Sequence, residues 1–368
     1  MLKPPQKENK SGKKRQFSKL LLQWNSQKNN RQMPWKGEKD PYKIWLSEII
    51  LQQTRVEQGL GYYYRFIEAF PGIHQLAQAM DSKIFKLWEG LGYYTRCRNL
   101  IVTARYISKV LKGKFPDTYE EIKALKGIGP YTAAAISSFA YNLPHAVVDG
   151  NVFRVMARVF GIENPIDSTE GKKYFTQLAN EILDKKQPGV YNQAIMDFGA
   201  VVCKPAAPIC TGCVFNKSCF AFLHNKINEL PVKEKKISIR KRWFYYLVIE
   251  HGNKIAIQQR TGKDIWQQLH EFPMIETKKQ ATINKILEHA ENSGWLQKKN
   301  YEVITISPLF RQLLSHQLIA GRFIKIKTKK SLNRNENIIW VTAREMKKLA
   351  FPKFINQYLD NEKVQSLF

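Results

Sequence analysis

The sequence predicts an all-α domain followed by a smaller α+β domain, and three observations carry that reading. Apolar residues recur at three- and four-residue spacing from Phe17 to about Asn225. Between residues 226 and 242 the composition turns to Lys and Arg with few large apolar side chains. After that, short β-prone runs begin. The 368 residues, 43% of them hydrophobic, suffice for two compact domains of roughly 100–200 residues each.

In chain order, residues 1–16 form a basic flexible tail. Lys3, Lys7, Lys10, Lys13, Lys14 and Arg15 face one acid, Glu8, and almost nothing apolar precedes Phe17. Residues 17–225 form the helical domain: Leu20-Leu21-Trp24, Ile44-Trp45-Ile49 and Leu100-Ala104-Ile107-Leu111 repeat at helical spacing, broken at Pro34, Pro41, Gly61, Pro71, Gly90, Gly113 and Pro116. Residues 226–242 form a basic linker. In residues 243–368 the strand-like runs are 243–249, 254–258, 301–306, 323–326 and 338–341, with helical stretches at 281–293 and 344–359. No internal repeat is present.

Composition narrows the function. Lys plus Arg number 59 against 31 for Asp plus Glu, and a net charge of +28 repels itself unless an anionic partner lies beside it. No run approaches the ~18 apolar residues of a membrane span, and the N-terminus lacks the apolar core of a signal peptide. Transporters, receptors and secreted proteins are thereby set aside. Of the five cysteines, Cys97 stands alone as a buried side chain, while Cys203, Cys210, Cys213 and Cys219 crowd into one loop-rich segment with Pro205, Pro208 and Gly212. That spacing is too local for a disulfide framework and points to a metal site in a reducing compartment. Four thiolates suit zinc or an iron–sulfur cluster, and spacing alone leaves the choice open.

Two further features have chemical content. Leu125-Lys126-Gly127-Ile128-Gly129-Pro130 lies between helical stretches at 119–126 and 131–139. Both glycines permit positive φ, and Pro130 fits a first helical position, so backbone amides at a positive helix end face outward toward a phosphate. Downstream, Asp149 in Val147-Val148-Asp149-Gly150-Asn151 precedes another helix.

Hairpin, aspartate and four-cysteine loop in this order resemble the helix-hairpin-helix DNA glycosylases with an iron–sulfur loop, and within them the MutY-type adenine glycosylases. The same likeness extends to Met33-Pro34-Trp35, Trp45-Leu46-Ser47-Glu48, Leu51-Gln52-Gln53-Thr54, Gly90-Leu91-Gly92-Tyr93-Tyr94 and Val148-Asp149-Gly150-Asn151. The resemblance implies one [4Fe–4S] cluster on Cys203, Cys210, Cys213 and Cys219. It implies as substrate double-stranded DNA carrying adenine opposite 8-oxoguanine or guanine. A bacterial, nucleoid-associated cytoplasmic monomer is the matching expectation.

Glu48 can be placed from the residues themselves. On a helix its neighbours at three and four residues are Ile44, Trp45, Leu51 and Gln52, a mostly apolar face on which a carboxyl resists ionising. It would then hold a proton for a leaving purine, while Asp149, near a helix N-terminus beside Asn151, stays charged. This is the division of labour of a glycoside cleavage with an oxocarbenium-like transition state. By resemblance, Glu48 protonates adenine at N7 and later assists water, and Asp149, positioned by Asn151, stabilises or traps the sugar cation. Tyr131 stands where the related endonuclease III-type enzymes carry a Schiff-base lysine, so strand cleavage is not expected; its phenol is placed to bond Glu48 or Asp149.

Gln53 and Tyr93, with Leu91, occupy the family's wedge positions in the duplex. Gln193 matches the residue whose amide contacts adenine, Trp35 and Leu51 line the pocket, and Gly127 and Gly129 hold phosphate. Residues 243–368 resemble the Nudix-like module that checks for 8-oxoguanine. The stretch 281–293 lacks the glutamate-rich helix of a Nudix hydrolase. Leu314-Ser315-His316 matches the family's Phe-Ser-His loop with Leu in the first place, leaving Ser315 and His316 to bond an oxidised guanine. Two rival readings are an endonuclease III-like pyrimidine glycosylase, opposed by Tyr131 and by the second domain, and a non-catalytic lesion-binding protein, which needs neither Glu48 nor Asp149.

Overall fold

The computed structural model describes residues 10–234, 238–329 and 337–365. In chain order the helical part runs α1 (Lys10–Lys28), α2 (Pro41–Leu51), α3 (Val56–Ala69), α4 (Ile73–Gln78), α5 (Asp81–Trp88), α6 (Tyr94–Lys109), α7 (Tyr119–Ala124), α8 (Pro130–Tyr141), α9 (Gly150–Phe160), α10 (Thr169–Ile182), α11 (Pro188–Val201) and α12 (Phe220–Leu223). There follow β1 (Arg240–His251), β2 (Lys254–Gln259), β3 (His270–Glu271), β4 (Met274–Thr277), α13 (Ile283–Asn292), β5 (Tyr301–Ile306), β6 (Phe310–Leu313), β7 (Gln317–Thr328), β8 (Ile338–Thr342), α14 (Ala343–Met346) and α15 (Lys353–Gln365). The chain divides into two compact units, Met1–Ala77 with Val102–Lys235, and Gln78–Ile101 with Lys236–Phe368.

In the first unit, Phe17, Leu21 and Trp24 of α1 pack against Val155, Phe175, Phe198 and Phe215 in one core. This burial carries helix α1 back through residues 10–16, so that part of the expected flexible tail is helical; residues 1–9 lie outside the described residues. Helix starts follow local chemistry. Asp40 accepts the Tyr42 amide at 2.9 Å with Pro41 in the first turn of α2, and Pro130 opens α8.

The second unit is built on an eight-stranded sheet of order β3-β2-β1-β7-β5, with β4 on β1, β6 on β7 and β8 on β2. β1 and β7 run parallel from Arg240↔Gln317 to Glu250↔Lys327. Alternate residues of β1 leave the sheet on opposite faces. Tyr245, Leu247 and Ile249 meet Ile286 and Ala290 of α13. On the other face Tyr246 stacks on Phe323, which stacks on Tyr358 of α15. Both faces are covered, so β1 reads as an unbroken apolar run.

The structure departs from the sequence expectations at identifiable places. Residues 78–101 group with the sheet and not with the rest of 17–225: Lys86 donates to Leu349 O at 2.9 Å, Glu89 accepts Phe351 N at 2.8 Å and Arg98 donates to Gln267 O at 3.1 Å. These are side-chain bonds to distant backbone, which periodicity does not register. The end of the expected linker is strand, since β1 opens at Arg240, and residues 235–237 lie outside the described residues. The single helix expected over 344–359 is two helices, the first opened by a Thr342–Glu345 capping box and the second starting just after Pro352. Strands β3, β4 and β6 have two to four residues each, too short for a periodic signal.

Candidate active site

Helix α2 delivers Glu48 into the interior. Ile44, Trp45, Leu46, Ile49 and Ile50 are buried around it, and Glu48 itself is only 7% exposed. Removal from water lifts its carboxyl from the ordinary 4.5 to about 7; the charge of Asp149 adds to the rise and a hydrogen bond from Tyr131 opposes it. Tyr131 lies one residue inside α8, and α8 is further tied to α2 by Gln52 Nε2 donating to Thr132 Oγ1 at 3.2 Å. Burial, Glu48 and Asp149 together push the Tyr131 phenol well above its usual range, so it remains a hydrogen-bond donor.

Asp149 is the N-cap of α9. One carboxylate oxygen accepts the Val152 amide at 2.8 Å and the other accepts Asn151 Nδ2 at 2.9 Å. Asn151 is oriented in turn by Arg154, whose guanidinium donates to Asn151 Oδ1, Gly199 O and Cys203 O at 2.7–2.8 Å. Gly199 is required for this approach: a Cβ there would lie 2.6 Å from that of Asn151. Burial moves the Asp149 carboxyl upward from 3.8, with the Val152 and Asn151 hydrogen bonds and Arg154 pulling it back. The two carboxyls are therefore both raised, and what separates them is the set of donors that favours the Asp149 anion.

In the hairpin, Gly127 adopts φ +80°, a conformation other residues reach only with strain. Gly129 does not: it is the extended N-cap of α8, at φ −93° and ψ 176°, with no side chain capping the helix. The phosphate-facing amides therefore depend on one left-handed glycine and an uncapped helix start. Gln53 is exposed at φ +55°. Trp35 and Leu51 are half-buried, Trp35 meeting the Tyr63 ring edge-on at 5.3 Å.

Gln193, half-buried on α11, is one turn from Met196, whose sulfur lies 4.0 Å from the Tyr131 hydroxyl. The Gln193 amide donates to Asp197 Oδ1 at 3.0 Å. Asp197 is fully buried and also accepts Arg31 Nη1 and Asn29 Nδ2 at 2.9 Å and Lys36 Nζ at 3.1 Å. Sequence reading missed Asp197; its position four residues after Gln193 on a helix was the available signal.

The second unit holds the other expected recognition residues. Leu91 is buried, turned inward between Gly90 at φ +90° and Gly92 at φ +79°, so it does not present the wedge expected of it. Tyr93 is the exposed member, at φ +48°, and its hydroxyl bonds Ser315 Oγ. Ser315 and exposed His316 form the turn between β6 and β7, on a cleft that Trp266, Arg98 and Lys353 also line. Among the described residues, no helix is long and apolar enough to cross a membrane.

Cys203, Cys210, Cys213 and Cys219 are unbridged and line one cavity with Arg158, Phe198 and Ile209. Arg158 braces the segment, donating to Leu230 O, Lys204 O and Pro205 O at 2.7–3.1 Å and reaching Cys203 Sγ at 3.6 Å. The Phe215 amide points at Cys213 Sγ, 3.4 Å away. Cys97 is buried elsewhere, its thiol pushed beyond the titratable range by burial. Among the described residues, no three His, Cys, Asp or Glu side chains converge as the ligands of a single ion do.

Residues 46–183 match the family model for the HhH-GPD superfamily base excision DNA repair protein, and residues 244–361 match that for the NUDIX domain. The adenine DNA glycosylase of Buchnera aphidicola subsp. Acyrthosiphon pisum is 31% identical over 352 residues, covering 94% of this chain and 97% of the relative. That of Buchnera aphidicola subsp. Baizongia pistaciae is 34% identical over 341 residues, covering 91% and 93%. The solved structure of a thermostable thymine-DNA glycosylase superposes with a TM-score of 0.54 at 28% identity, over 58% of this chain and 98% of that one. The chain belongs to the adenine DNA glycosylase family, and it is an N-glycosylase of base excision repair acting on adenine in DNA.

Proposed function

We propose that this chain, a monomer at the nucleoid of a bacterial cytoplasm, excises adenine mispaired with 8-oxoguanine or guanine and leaves an abasic site without cutting the strand. The observation that carries this reading is Glu48: a buried carboxyl raised to about 7, hydrogen-bonded by Tyr131 and influenced by Asp149. With the base rotated out of the duplex, Glu48 donates its proton to adenine N7. The C1′–N9 bond breaks and its electron pair leaves with the base. The Asp149 carboxylate, held by Val152 and Asn151, faces the positive charge left on the sugar. Water then adds at C1′ and returns its proton to Glu48. Tyr131 offers no amine at the place where a Schiff base would form, which supports a monofunctional enzyme and disfavours the endonuclease III-like reading.

Trp35, Leu51 and Gln193 form the base pocket in this reading, and Gln53 and Tyr93 fill the gap left in the duplex. Gly127 and the uncapped start of α8 hold a phosphate. Ser315 and His316, beside Tyr93 on the β6–β7 turn, read the oxidised guanine. The four cysteines hold a [4Fe–4S] cluster. Sulfurs distributed around a common cavity suit a cluster with one thiolate per iron better than a single tetrahedral ion, and the N–H groups of Arg158 and Phe215 beside Cys203 and Cys213 suit charged sulfur. When bound, the cluster would cross-link this loop through the four thiolates.

The test is single-turnover excision from duplexes with adenine opposite 8-oxoguanine or guanine, with thymine glycol opposite adenine as comparison, each read with and without alkali. Breaks on the adenine strand that appear only after alkali are expected. Breaks without alkali at thymine glycol would overturn the reading in favour of a pyrimidine lyase, and tight binding without excision would leave a lesion-binding protein. Iron content and visible absorbance decide the cluster against zinc.

A further inference from the structure

An amide side chain presents two faces of opposite character, and which face meets the base decides what that base must carry. At Gln193 the choice is made by a neighbour. Its nitrogen lies 3.0 Å from Asp197 Oδ1, and a carboxylate only accepts, so one N–H of the NH2 group is committed to Asp197 and the places of the amide's nitrogen and oxygen are fixed. Asp197 is fixed in place: it is fully buried, ion-paired to Arg31 and Lys36, and bonded by Asn29. Three of those partners come from the 29–36 segment and one from its own helix, so the carboxylate cannot turn away without losing several charge-assisted bonds. The carbonyl oxygen of Gln193, with the second N–H beside it, is left to a ligand in that fixed order. It sits one helical turn from Met196, which touches the hydroxyl of Tyr131, the partner of Glu48.

We propose that Asp197 is a specificity-determining positioning residue, which locks the Gln193 amide with its carbonyl toward the flipped base and so selects purines that carry an exocyclic 6-amino donor over 6-keto purines. This rests on the assignment of Gln193 to the adenine pocket. A 6-amino group donates to the fixed carbonyl. A 6-keto oxygen meets it acceptor to acceptor, and a buried unpaired acceptor is costly. Removing the negative charge releases the amide, because an asparagine at position 197 both donates and accepts and no longer dictates which end of Gln193 it holds.

The experiment measures single-turnover excision of adenine and of hypoxanthine, each opposite the same base, by wild type, Asp197→Asn, Gln193→Leu and the double variant. The ratio is internal to each preparation, so a smaller folded fraction lowers both rates alike. Asp197→Asn is expected to lower the adenine-to-hypoxanthine ratio about tenfold. Gln193→Leu should lower it at least as far, and the double variant should match Gln193→Leu alone, since Asp197 acts through Gln193. An Asp197→Asn protein that loses both rates in proportion, or loses its fold, would show a merely structural anchor and overturn the proposal. If Gln193→Leu leaves the ratio unchanged, the pocket assignment itself fails. If Gln193→Leu collapses the ratio and Asp197→Asn does not, only the role of Asp197 fails.

Discussion

Replacing Glu48 by Gln separates two consequences of the same buried carboxyl. The carboxyl ionises at about 7 in the fold and at the ordinary 4.5 once the chain is unfolded. Between those values the folded state holds a proton that the unfolded chain has released, so stability falls as pH rises through this window. The total is about 3 kcal/mol, on the order of 1.4 kcal/mol for each pH unit. Below pH 4.5 the penalty is absent, and above pH 7 it is complete and constant. Gln does not titrate, so urea unfolding of wild type and Glu48→Gln should diverge by that amount between about pH 4.5 and 8, the variant being the more stable at the alkaline end. Excision behaves oppositely. The variant cannot donate a proton, so single-turnover excision should fall by about 10²–10⁴-fold or more, with duplex affinity retained. Wild-type excision should decline above about pH 7 as the acid is lost. Parallel stability curves for the two proteins, or excision by Glu48→Gln within tenfold of wild type, would refute both the buried acid and its role.

Other perturbations test the surrounding frame. Tyr131→Phe removes the hydrogen bond that lowers the Glu48 carboxyl, so the alkaline limb of the pH–rate profile should move to higher pH while excision slows; an unmoved limb would dissociate the two side chains. Gly199→Ala forces a methyl group to within 2.6 Å of Asn151 Cβ and should cost about 1–3 kcal/mol of stability together with excision rate, read by urea midpoint and single-turnover kinetics. Arg154→Met strands Asn151 Oδ1 and two buried carbonyls, and a loss of about 2–4 kcal/mol is expected by the same unfolding assay. Duplex affinity should fall linearly in log K against log salt with a steep slope, as phosphate neutralisation by a +28 chain requires; a flat line would contradict the reading of the charge.

What was legible in the sequence divides along a physical line. Residues whose chemistry is unusual for their setting stood out: a glutamate on the apolar face of α2, an aspartate before α9, two hairpin glycines of which one takes the left-handed turn, and four cysteines in one loop. Their positions are short-range facts that a linear pattern contains, and their proposed roles came with the resemblance. The errors came from relations between distant segments. The family resemblance makes Leu91 a wedge, whereas its apolar character alone reads as core, which is where the structure buries it. Residues 78–101 looked like part of one helical body because their bonds to the Leu349, Phe351 and Gln267 backbones leave no periodic trace.

Asp197 and Gly199 show why the same limit applies inside the site. Each is unremarkable in its own helix, and each acts by meeting another element. Gly199 supplies the gap into which Asn151 fits, and Asp197 supplies the acceptor on which Gln193, Asn29, Arg31 and Lys36 converge. The groups proposed to cleave the bond were singled out by local pattern together with the family resemblance, whereas the groups that aim them were not. Selectivity among bases depends on aim, since hydrogen-bonding a flipped purine correctly is a matter of which end of an amide points where. If Asp197 sets that orientation, the discrimination of this enzyme is written at a position that touches neither the base nor the sugar, and the adenine-to-hypoxanthine ratio is the measurement in which it becomes visible.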